Sequence, residues 1–339
     1  MKEFLTKKKR FSIFLVCFLL ITQLSGAEKS RYVFKTMGTA AVLSIGLPES
    51  ESGKYFSIFQ EECIKTARLA DLYDISSELS RLNRSAAKVP FRCSEALYQL
   101  LKESRKAWFL SEGAFDISTK PLMDLWGFYR KRDGKMPSAE EIAKVLQVVG
   151  LDKVKFDDKN RTVFFTVPGM SLDLGGIAKG WTVDRTAEQI KPGTHAIINL
   201  GGNLRIMNPL RRKSVIGIRH PLDPEKIERK LIIHSGSCST SGGYERFVVY
   251  NSKRYAHIMD PATGYPANQC LAVTVITESA LHADWMSTAI FIRGKHSAEK
   301  IVKEFPGTVV YLYYPGSESG KIKVEIIRKE KSNDESEKP

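Results

Sequence analysis

The chain of 339 residues is long enough for one large domain or two closely packed ones, and its 42% hydrophobic content is typical of a globular protein. Its formal net charge of +14 usually means a solvated basic surface, and it can also favour an anionic ligand or a negatively charged envelope as a partner. It lacks helix-turn-helix, RRM and zinc-finger spacings, so we do not expect a nucleic-acid-binding protein. The cysteines after residue 27 form no CxxC pair, which argues against zinc and thioredoxin-like chemistry.

Residues 1–27 predict a secretory signal peptide. A basic stretch at 7–10 precedes an apolar run at 11–21, and the small residues Ser25 and Ala27 suit a cleavage site. The apolar run is short for a transmembrane helix, and no cysteine stands where Ala27 lies, which disfavours a lipid anchor. We therefore expect export to the periplasm or cell envelope, with an uncleaved N-terminal anchor as the alternative.

Hydrophobic periodicity predicts an α+β chain in which helices cluster between hairpins. Residues 28–329 form the predicted domain, and the acidic, Ser/Lys-rich segment 330–339 is expected to be a disordered tail. The predicted helices cover 56–72, 94–110, 137–149, 177–190, 283–291 and 297–305. The predicted strands cover 32–47 with an interruption at 36–39, 154–156, 162–167, 196–200, 247–250, 309–314 and 321–327.

The Gly-rich segment 171–180 follows a predicted strand and opens a predicted helix. Its glycines Gly175 and Gly176 would let a ligand approach the backbone, and free N–H groups beside Lys179 suit phosphate. The segment has neither the ending of a Walker loop nor the GxGxxG of a dinucleotide fold. A tight turn without a ligand explains the same residues.

Two further segments carry polar side chains in suggestive positions. Asp284 and Thr288 are four residues apart in a predicted helix, so one helix face could offer two oxygen ligands to Mg²⁺. The local pattern favours the alternative, a carboxylate near the helix start and a threonine bonded back to its own helix.

His257 and Asp260 stand where a predicted strand gives way to an Asp-Pro turn, a common place for catalytic residues. A solvated histidine beside an ordinary turn is the alternative.

The aromatic residues of 113–116 and 126–128 flank a Lys-Pro turn, and residues of this kind are more often core than cofactor stack. The hydroxyl-rich segment 239–244 precedes a Gly pair but lacks the GxSxG pattern of a serine hydrolase.

Taken in order, these segments resemble the ApbE family, the FAD:protein FMN transferases. The likeness covers nearly the whole chain after residue 27, and it implies that Asp284 and Thr288 are metal ligands after all. The segments that carry it are 36–39, 72–83, 113–116, 126–128, 172–180, 199–202, 241–246, 257–264 and 283–288.

The resemblance implies an α+β fold of two T-fold-like halves, with antiparallel sheets, packed helices and an FAD cleft between them. It implies cleavage of FAD to AMP and transfer of FMN to a Thr or Ser hydroxyl of an exported acceptor flavoprotein. Asp284, Thr288 and the backbone carbonyl of Gly176 would hold Mg²⁺, and His257 would take the proton from the acceptor hydroxyl. The residues implied to line FAD are Met37, Tyr73, Ala114, Phe115, Asp116, Asp173, Lys179, His257 and Ile258.

Two other functions remain open from the sequence. A Mg²⁺-dependent FAD pyrophosphatase would use the same residues with water as the acceptor and would release FMN and AMP. A flavin-binding carrier without turnover would not need the combination of Asp284, Thr288 and His257.

Overall fold

The computed structural model describes residues 29–130, 132, 134–318 and 320–329. The predicted signal peptide at 1–27 and the predicted tail at 330–339 lie outside these residues. No helix in the described ranges is both long enough and apolar enough to cross a membrane.

The described residues form strands and helices along the whole domain. The strands are β1 (Ser30–Thr36), β2 (Thr39–Ile45), β3 (Phe91–Arg92), β4 (Val154–Asp157), β5 (Thr162–Phe165), β6 (Ala196–Leu200), β7 (Asn203–Met207), β8 (Ser214–His220), β9 (Asp223–Ile233), β10 (Gly236–Gly242), β11 (Phe247–Tyr250), β12 (Lys253–Ala256), β13 (Ala272–Thr277), β14 (Val309–Pro315) and β15 (Ile322–Arg328). The α-helices are α1 (Glu49–Ala70), α2 (Glu78–Ser85), α3 (Glu95–Leu110), α4 (Lys120–Leu125), α5 (Ala139–Leu146), α6 (Ala178–Glu188), α7 (Ala280–Arg293) and α8 (Lys295–Glu304).

The central sheet has eight antiparallel strands in the order β1-β2-β6-β7-β10-β13-β14-β15. Its middle is narrow, because β7 and β10 pair only between residues 204–206 and 236–238. On each side of this junction lie four strands whose chain order is two strands, helices, two strands. The α+β class with antiparallel sheets and packed helices is therefore confirmed, and the fold consists of two similar halves.

The core of each half forms where the apolar face of a helix packs against the sheet. In the first half, Phe59 and Cys63 of α1 are fully buried against Leu43 and Ile198 of the sheet. In the second half, α7 is apolar on nearly every side, and its Trp285 and Phe291 are buried in the largest core cluster. Helix α7 is thus an interior element that reaches toward both halves.

The segments inserted into the two halves position the loops around the site. Between α1 and α6 lie α2–α5 and the small sheet β3-β5-β4, and between β10 and β13 lies the hairpin β11–β12. Ser94 accepts a hydrogen bond from the Leu97 N–H and so caps the start of α3, close to the predicted helix start at residue 94. Ser138 forms a capping box with Glu141 at the start of α5. The helix predicted from residue 56 begins earlier, at Glu49, because Pro48 and the acidic first turn favour an early start.

The four cysteines in the described part of the chain are buried, and none of them forms a disulfide with another. Burial raises the pKa of each thiol to about 12, so these side chains stay protonated and pack as small apolar groups. They are Cys63, Cys93, Cys238 and Cys270.

Candidate functional site

One cavity of about 300 Å³ collects most of the residues that the sequence singled out. Its walls come from the Gly-rich turn before α6, the end of β10, one face of α7 and the base of the hairpin β11–β12. The predicted site residues that line it are Ala114, Phe115, Asp116, Asp173, Gly176, Lys179, His257, Ile258, Asp284 and Thr288.

Two predicted flavin-binding residues do not line this cavity. Met37 occupies the turn between β1 and β2, with φ of 46°, and packs against the core. Tyr73 is 71% exposed, and its hydroxyl accepts a hydrogen bond from Arg246 at 3.2 Å. Tyr73 therefore touches a wall residue of the cavity from outside, whereas Met37 packs against two of the core clusters.

Asp284 is a buried carboxylate at the point where the two halves meet. The N–H of Gly180 in α6 donates to Asp284 Oδ2 at 2.9 Å. Burial raises the pKa of Asp284 above its ordinary value, while Lys179, the Gly180 N–H and the side chain of Asn203 act to lower the pKa. A carboxylate desolvated to this degree is stabilised by a cation in the same cavity.

Thr288 lies one helical turn further along α7 and belongs to a cluster of hydroxyls. Its Oγ1 lies 3.4 Å from the carbonyl oxygen of Asp284, so the back-bond expected from the local pattern is present. The same Oγ1 lies 3.3 Å from Ser241 Oγ, which in turn lies 2.8 Å from Ser287 Oγ. The back-bond and a role as an oxygen ligand are compatible, because the hydroxyl donates once and keeps lone pairs for a cation.

The residues around Asp284 fit a hard divalent cation. A Cβ on Gly176 would lie 3.1 Å from the ring of Phe115 and 3.8 Å from Thr288 Oγ1, so glycine lets the backbone come close to the threonine. Asn203 Oδ1 is buried without a hydrogen-bond partner in the described structure, which leaves another oxygen at the cavity wall. Carboxylate, hydroxyl and carbonyl oxygens are the donors that Mg²⁺ prefers. No group of three or more His, Cys, Asp or Glu suited to a metal occurs among the described residues.

Asp173 fixes the Gly-rich turn and connects it to Tyr129. Asp173 Oδ1 accepts the Gly175 N–H at 2.8 Å, and Oδ2 accepts the Tyr129 hydroxyl at 2.5 Å. Lys179, in the first turn of α6, places its Nζ 3.1 Å from the Gly175 carbonyl oxygen. The turn thus places the ammonium group of Lys179 and a backbone without bulky side chains on the same wall of the cavity. This arrangement suits a phosphate ligand.

Asp116 contributes to the wall as a structural carboxylate. Its two oxygens accept the N–H groups of Ser118 at 2.7 Å and Leu151 at 3.0 Å. Burial raises the pKa of Asp116, and these hydrogen bonds oppose that rise. The carboxylate is committed to the fold, and its position shapes the cavity beside Ala114 and Phe115.

His257 follows β12 directly, so the strand ends at Ala256, earlier than the Asp260 expected from the sequence. The Nδ1 atom of His257 lies 3.2 Å from the carbonyl oxygen of Arg246, and because a carbonyl only accepts, Nδ1 carries the proton. Burial and then the charge of Lys179 lower the pKa of His257 to about 4. The imidazole is therefore neutral near pH 7, and its Nε2 makes no hydrogen bond to the described residues.

Sequence reasoning missed several residues of the cavity wall. Trp126 and Phe128 are core residues as expected, but the next aromatic, Tyr129, lines the cavity. Arg246 ends the segment 241–246, but neither its charge nor its spacing in the sequence indicates that it lies beside His257. The local signal was the run of polar residues at strand ends, which only the tertiary fold brings together. Asn203 was also missed, whereas Ser239, Ser241 and Glu245 lie in segments that the sequence analysis described without giving these residues a role in the site.

A histidine held neutral and a desolvated carboxylate in one cavity are typical of an enzyme rather than of a passive binding module. The chain belongs to the ApbE family, whose sequence profile matches residues 37–312, and it is a transferase.

Relatives and solved structures support this membership. The chain is 34% identical to an FAD:protein FMN transferase of Klebsiella pneumoniae over 233 residues, covering 66% of this chain and 72% of the relative. It is 31% identical to one of Haemophilus influenzae over 243 residues, covering 68% and 70%. The crystal structure of the ApbE protein of Thermotoga maritima matches with a TM-score of 0.77 and 31% identity over 84% of this chain and 93% of that one. The flavin transferase ApbE of Vibrio cholerae matches with a TM-score of 0.74 and 25% identity over 88% and 97%.

Proposed function

We propose that this enzyme is a Mg²⁺-dependent FAD:protein FMN transferase that attaches FMN to a Thr or Ser hydroxyl of an exported acceptor protein. The observation that carries the proposal is that Asp284, Lys179 and His257 meet in one cavity of an ApbE-family chain. Each supplies one requirement of phosphoryl-type transfer: a cation site, a positive charge at the phosphates and a base.

In the proposed reaction, FAD and a protein hydroxyl give AMP and an FMN phosphoester. His257 Nε2 takes the proton of the acceptor hydroxyl while the oxygen of that hydroxyl attacks the phosphorus of the FMN half. The bond from that phosphorus to the bridging oxygen breaks, and AMP leaves with the electron pair. Lys179 stabilises the charge that develops on the phosphates.

Asp284, Thr288 and the carbonyl of Gly176 would hold the Mg²⁺. Bound there, the ion would offset the negative charge of the pyrophosphate. The lining residues Ala114, Phe115, Asp173 and Ile258 would contact FAD. Tyr73, which contacts the wall residue Arg246, would be a further contact, and Met37 stays a candidate from the family resemblance alone.

The test is to incubate the chain with FAD, Mg²⁺ and a candidate acceptor and to measure protein-bound flavin and AMP together. We expect yellow fluorescence that stays with the acceptor on a denaturing gel, with AMP in equal amount. AMP with free FMN alone would identify an FAD pyrophosphatase instead. FAD binding without AMP would identify a carrier.

Export is the second part of the proposal, supported by the basic stretch at 7–10, the apolar run at 11–21 and the Ser25-Gly26-Ala27 site. Mass spectrometry of the protein from envelope fractions should find a mature terminus near Glu28. An intact Met1 terminus would show that the segment is retained as an anchor.

A further inference from the structure

We infer that Arg246 and Tyr129 are positioning residues. They hold His257 in the tautomer with the proton on Nδ1, which leaves Nε2 free to act as a base, and they connect His257 to the Gly-rich turn. The inference rests on the proposed function, in which His257 accepts the hydroxyl proton. It assigns roles to two side chains that, among the described residues, make no hydrogen bond to the proposed metal ligands.

The first link is between Arg246 and His257, at the open end of a hairpin. Arg246 precedes β11 and His257 follows β12, and the last pair of the hairpin register is Phe247 with Ala256. The carbonyl oxygen of Arg246 accepts both the His257 backbone N–H at 3.0 Å and its Nδ1–H at 3.2 Å. One carbonyl thus fixes the backbone and the ring of the base together.

The second link is the side chain of Arg246, which keeps that carbonyl in place. Its guanidinium donates to the carbonyl oxygen of Phe128 and to the hydroxyl of Tyr73, the latter at 3.2 Å. The guanidinium carbon lies 5.1 Å from the centre of the Tyr129 ring. These contacts anchor the hairpin base to the segment that follows α4.

The third link runs from Tyr129 to the turn. Its hydroxyl donates to Asp173, whose other oxygen accepts the Gly175 N–H. Burial and the charge of Asp173 raise the pKa of Tyr129, so its hydroxyl remains a donor. The base and the proposed phosphate-binding turn are therefore joined by one chain of contacts through Tyr129 and Arg246.

The charges around His257 predict a second effect of Arg246. Lys179 and Arg246 lower the pKa of His257, and Asp173 raises it. Removal of the Arg246 charge should therefore raise the pKa of the base. The charged side chains that share the cavity with His257 are Asp116, Asp173, Lys179, Glu245, Arg246 and Asp284.

The experiment measures AMP release from FAD in the full chain for Arg246→Ala, Tyr129→Phe and the double variant. We expect Arg246→Ala to lower kcat roughly 10- to 100-fold while the KM for FAD stays within about threefold. The acid limb of its kcat profile should move to higher pH. Tyr129→Phe should have a smaller effect of the same kind, and the double variant should be no slower than Arg246→Ala, because the two side chains act in one chain.

The matched control is Arg254→Ala, which removes an exposed arginine on the same hairpin. Its guanidinium carbon lies 4.6 Å from the centre of the Phe247 ring, so it has an aromatic contact like that of Arg246. It should keep kcat within about twofold, as is usual for surface changes away from a site. Folded Arg246→Ala with wild-type kcat and an unmoved acid limb would overturn the inference, as would additive effects in the double variant. If Arg246→Ala does not fold, wild-type kcat in Tyr129→Phe overturns it.

The tautomer of His257 separates failure of this inference from failure of the proposed function. Nitrogen-15 NMR should show the proton on Nδ1 in the wild type and a mixture of tautomers in Arg246→Ala. A wild-type chain that releases no AMP would overturn the proposed function. An Nε2-protonated imidazole in the wild type would overturn the positioning role whatever the activity.

Discussion

The backbone N–H of Gly180 donates to Asp284 Oδ2 at 2.9 Å, and this bond joins α6 of the first half to α7 of the second. The two helices come so close that a Cβ on Gly180 would lie 2.3 Å from the carbonyl oxygen of Ala280. The carboxylate proposed to bind the metal is thus positioned by the packing of the two halves against each other.

Gly180→Ala should destabilise the protein by roughly 1–3 kcal/mol or more, because the new methyl group meets backbone atoms that have little room to move. Gly53→Ala is the control. Gly53 lies within α1 with open space around it, so alanine there should stabilise the fold by about 0.5–1 kcal/mol. Urea unfolding of both variants measures the difference, and equal midpoints would show that the helices are less closely packed than described.

Asp284→Asn should remove the effect of Mg²⁺ on FAD affinity while the protein stays folded. Asparagine can still accept the Gly180 N–H, and loss of a buried charge removes its desolvation cost. FAD binding is titrated with Mg²⁺ and with EDTA, and Asp158→Asn is the control because that carboxylate is 65% exposed. If Asp284→Asn keeps a wild-type Mg²⁺ response, the metal lies elsewhere.

His257→Asn should retain FAD affinity but lose most of the transfer rate. A threonine hydroxyl is a poor nucleophile at neutral pH, so loss of a positioned base should lower the rate roughly 10²–10⁴-fold. FAD affinity, melting temperature and transfer are measured on the same preparation. A fall in all three that tracks the folded fraction would instead make His257 a structural residue.

The pH dependence follows from the lowered pKa of His257, which lies at about 4. A histidine with an ordinary pKa would lose its basic form as the pH falls through about 6.5. His257 should remain a base below that point, so kcat/KM for the free enzyme should stay level from pH 7.5 to about 5.5. A half-maximal rate near pH 6.5 would show that the imidazole is solvated.

The lowered pKa of His257 also makes the stability of the folded protein depend on pH. Between pH 6.5 and 4 the unfolded chain binds a proton at His257 that the folded chain does not. The free energy of unfolding should therefore fall as the pH drops through this range, and His257→Asn should show a shallower fall. Chemical unfolding at several pH values measures both slopes.

Local features of the fold could be predicted from the sequence where neighbouring residues decide the outcome. The helix starts near Ser94 and Ser138 depend on residues three positions away, and the structure has a helix beginning at each place, with both serines as N-caps. The pair Asp284 and Thr288 was ambiguous, because the same spacing serves a back-bonded threonine and a metal ligand. Asp284 lines the cavity, where its carboxylate is held by the N–H of Gly180, a residue 104 positions away in sequence. That contact cannot be seen from the local spacing.

Tyr129 and Arg246 could not be predicted as site residues, because their positions depend on long-range contacts. Arg246 reaches Phe128, 118 residues away, and Tyr129 reaches Asp173, 44 residues away. Neither contact leaves a periodic or compositional signal. Met37 matched a family position, but it packs against two core clusters and is not among the residues that line the cavity.

The central claim is that the acceptor of the FMN group is a protein hydroxyl. The most direct measurement is the flavin that stays bound to a denatured acceptor after reaction with FAD and Mg²⁺, compared with an acceptor in which the target threonine is valine. The account predicts one covalently bound FMN per AMP released for the threonine form and none for the valine form. AMP released at the same rate with both acceptors, and all of the flavin free in solution, would contradict it.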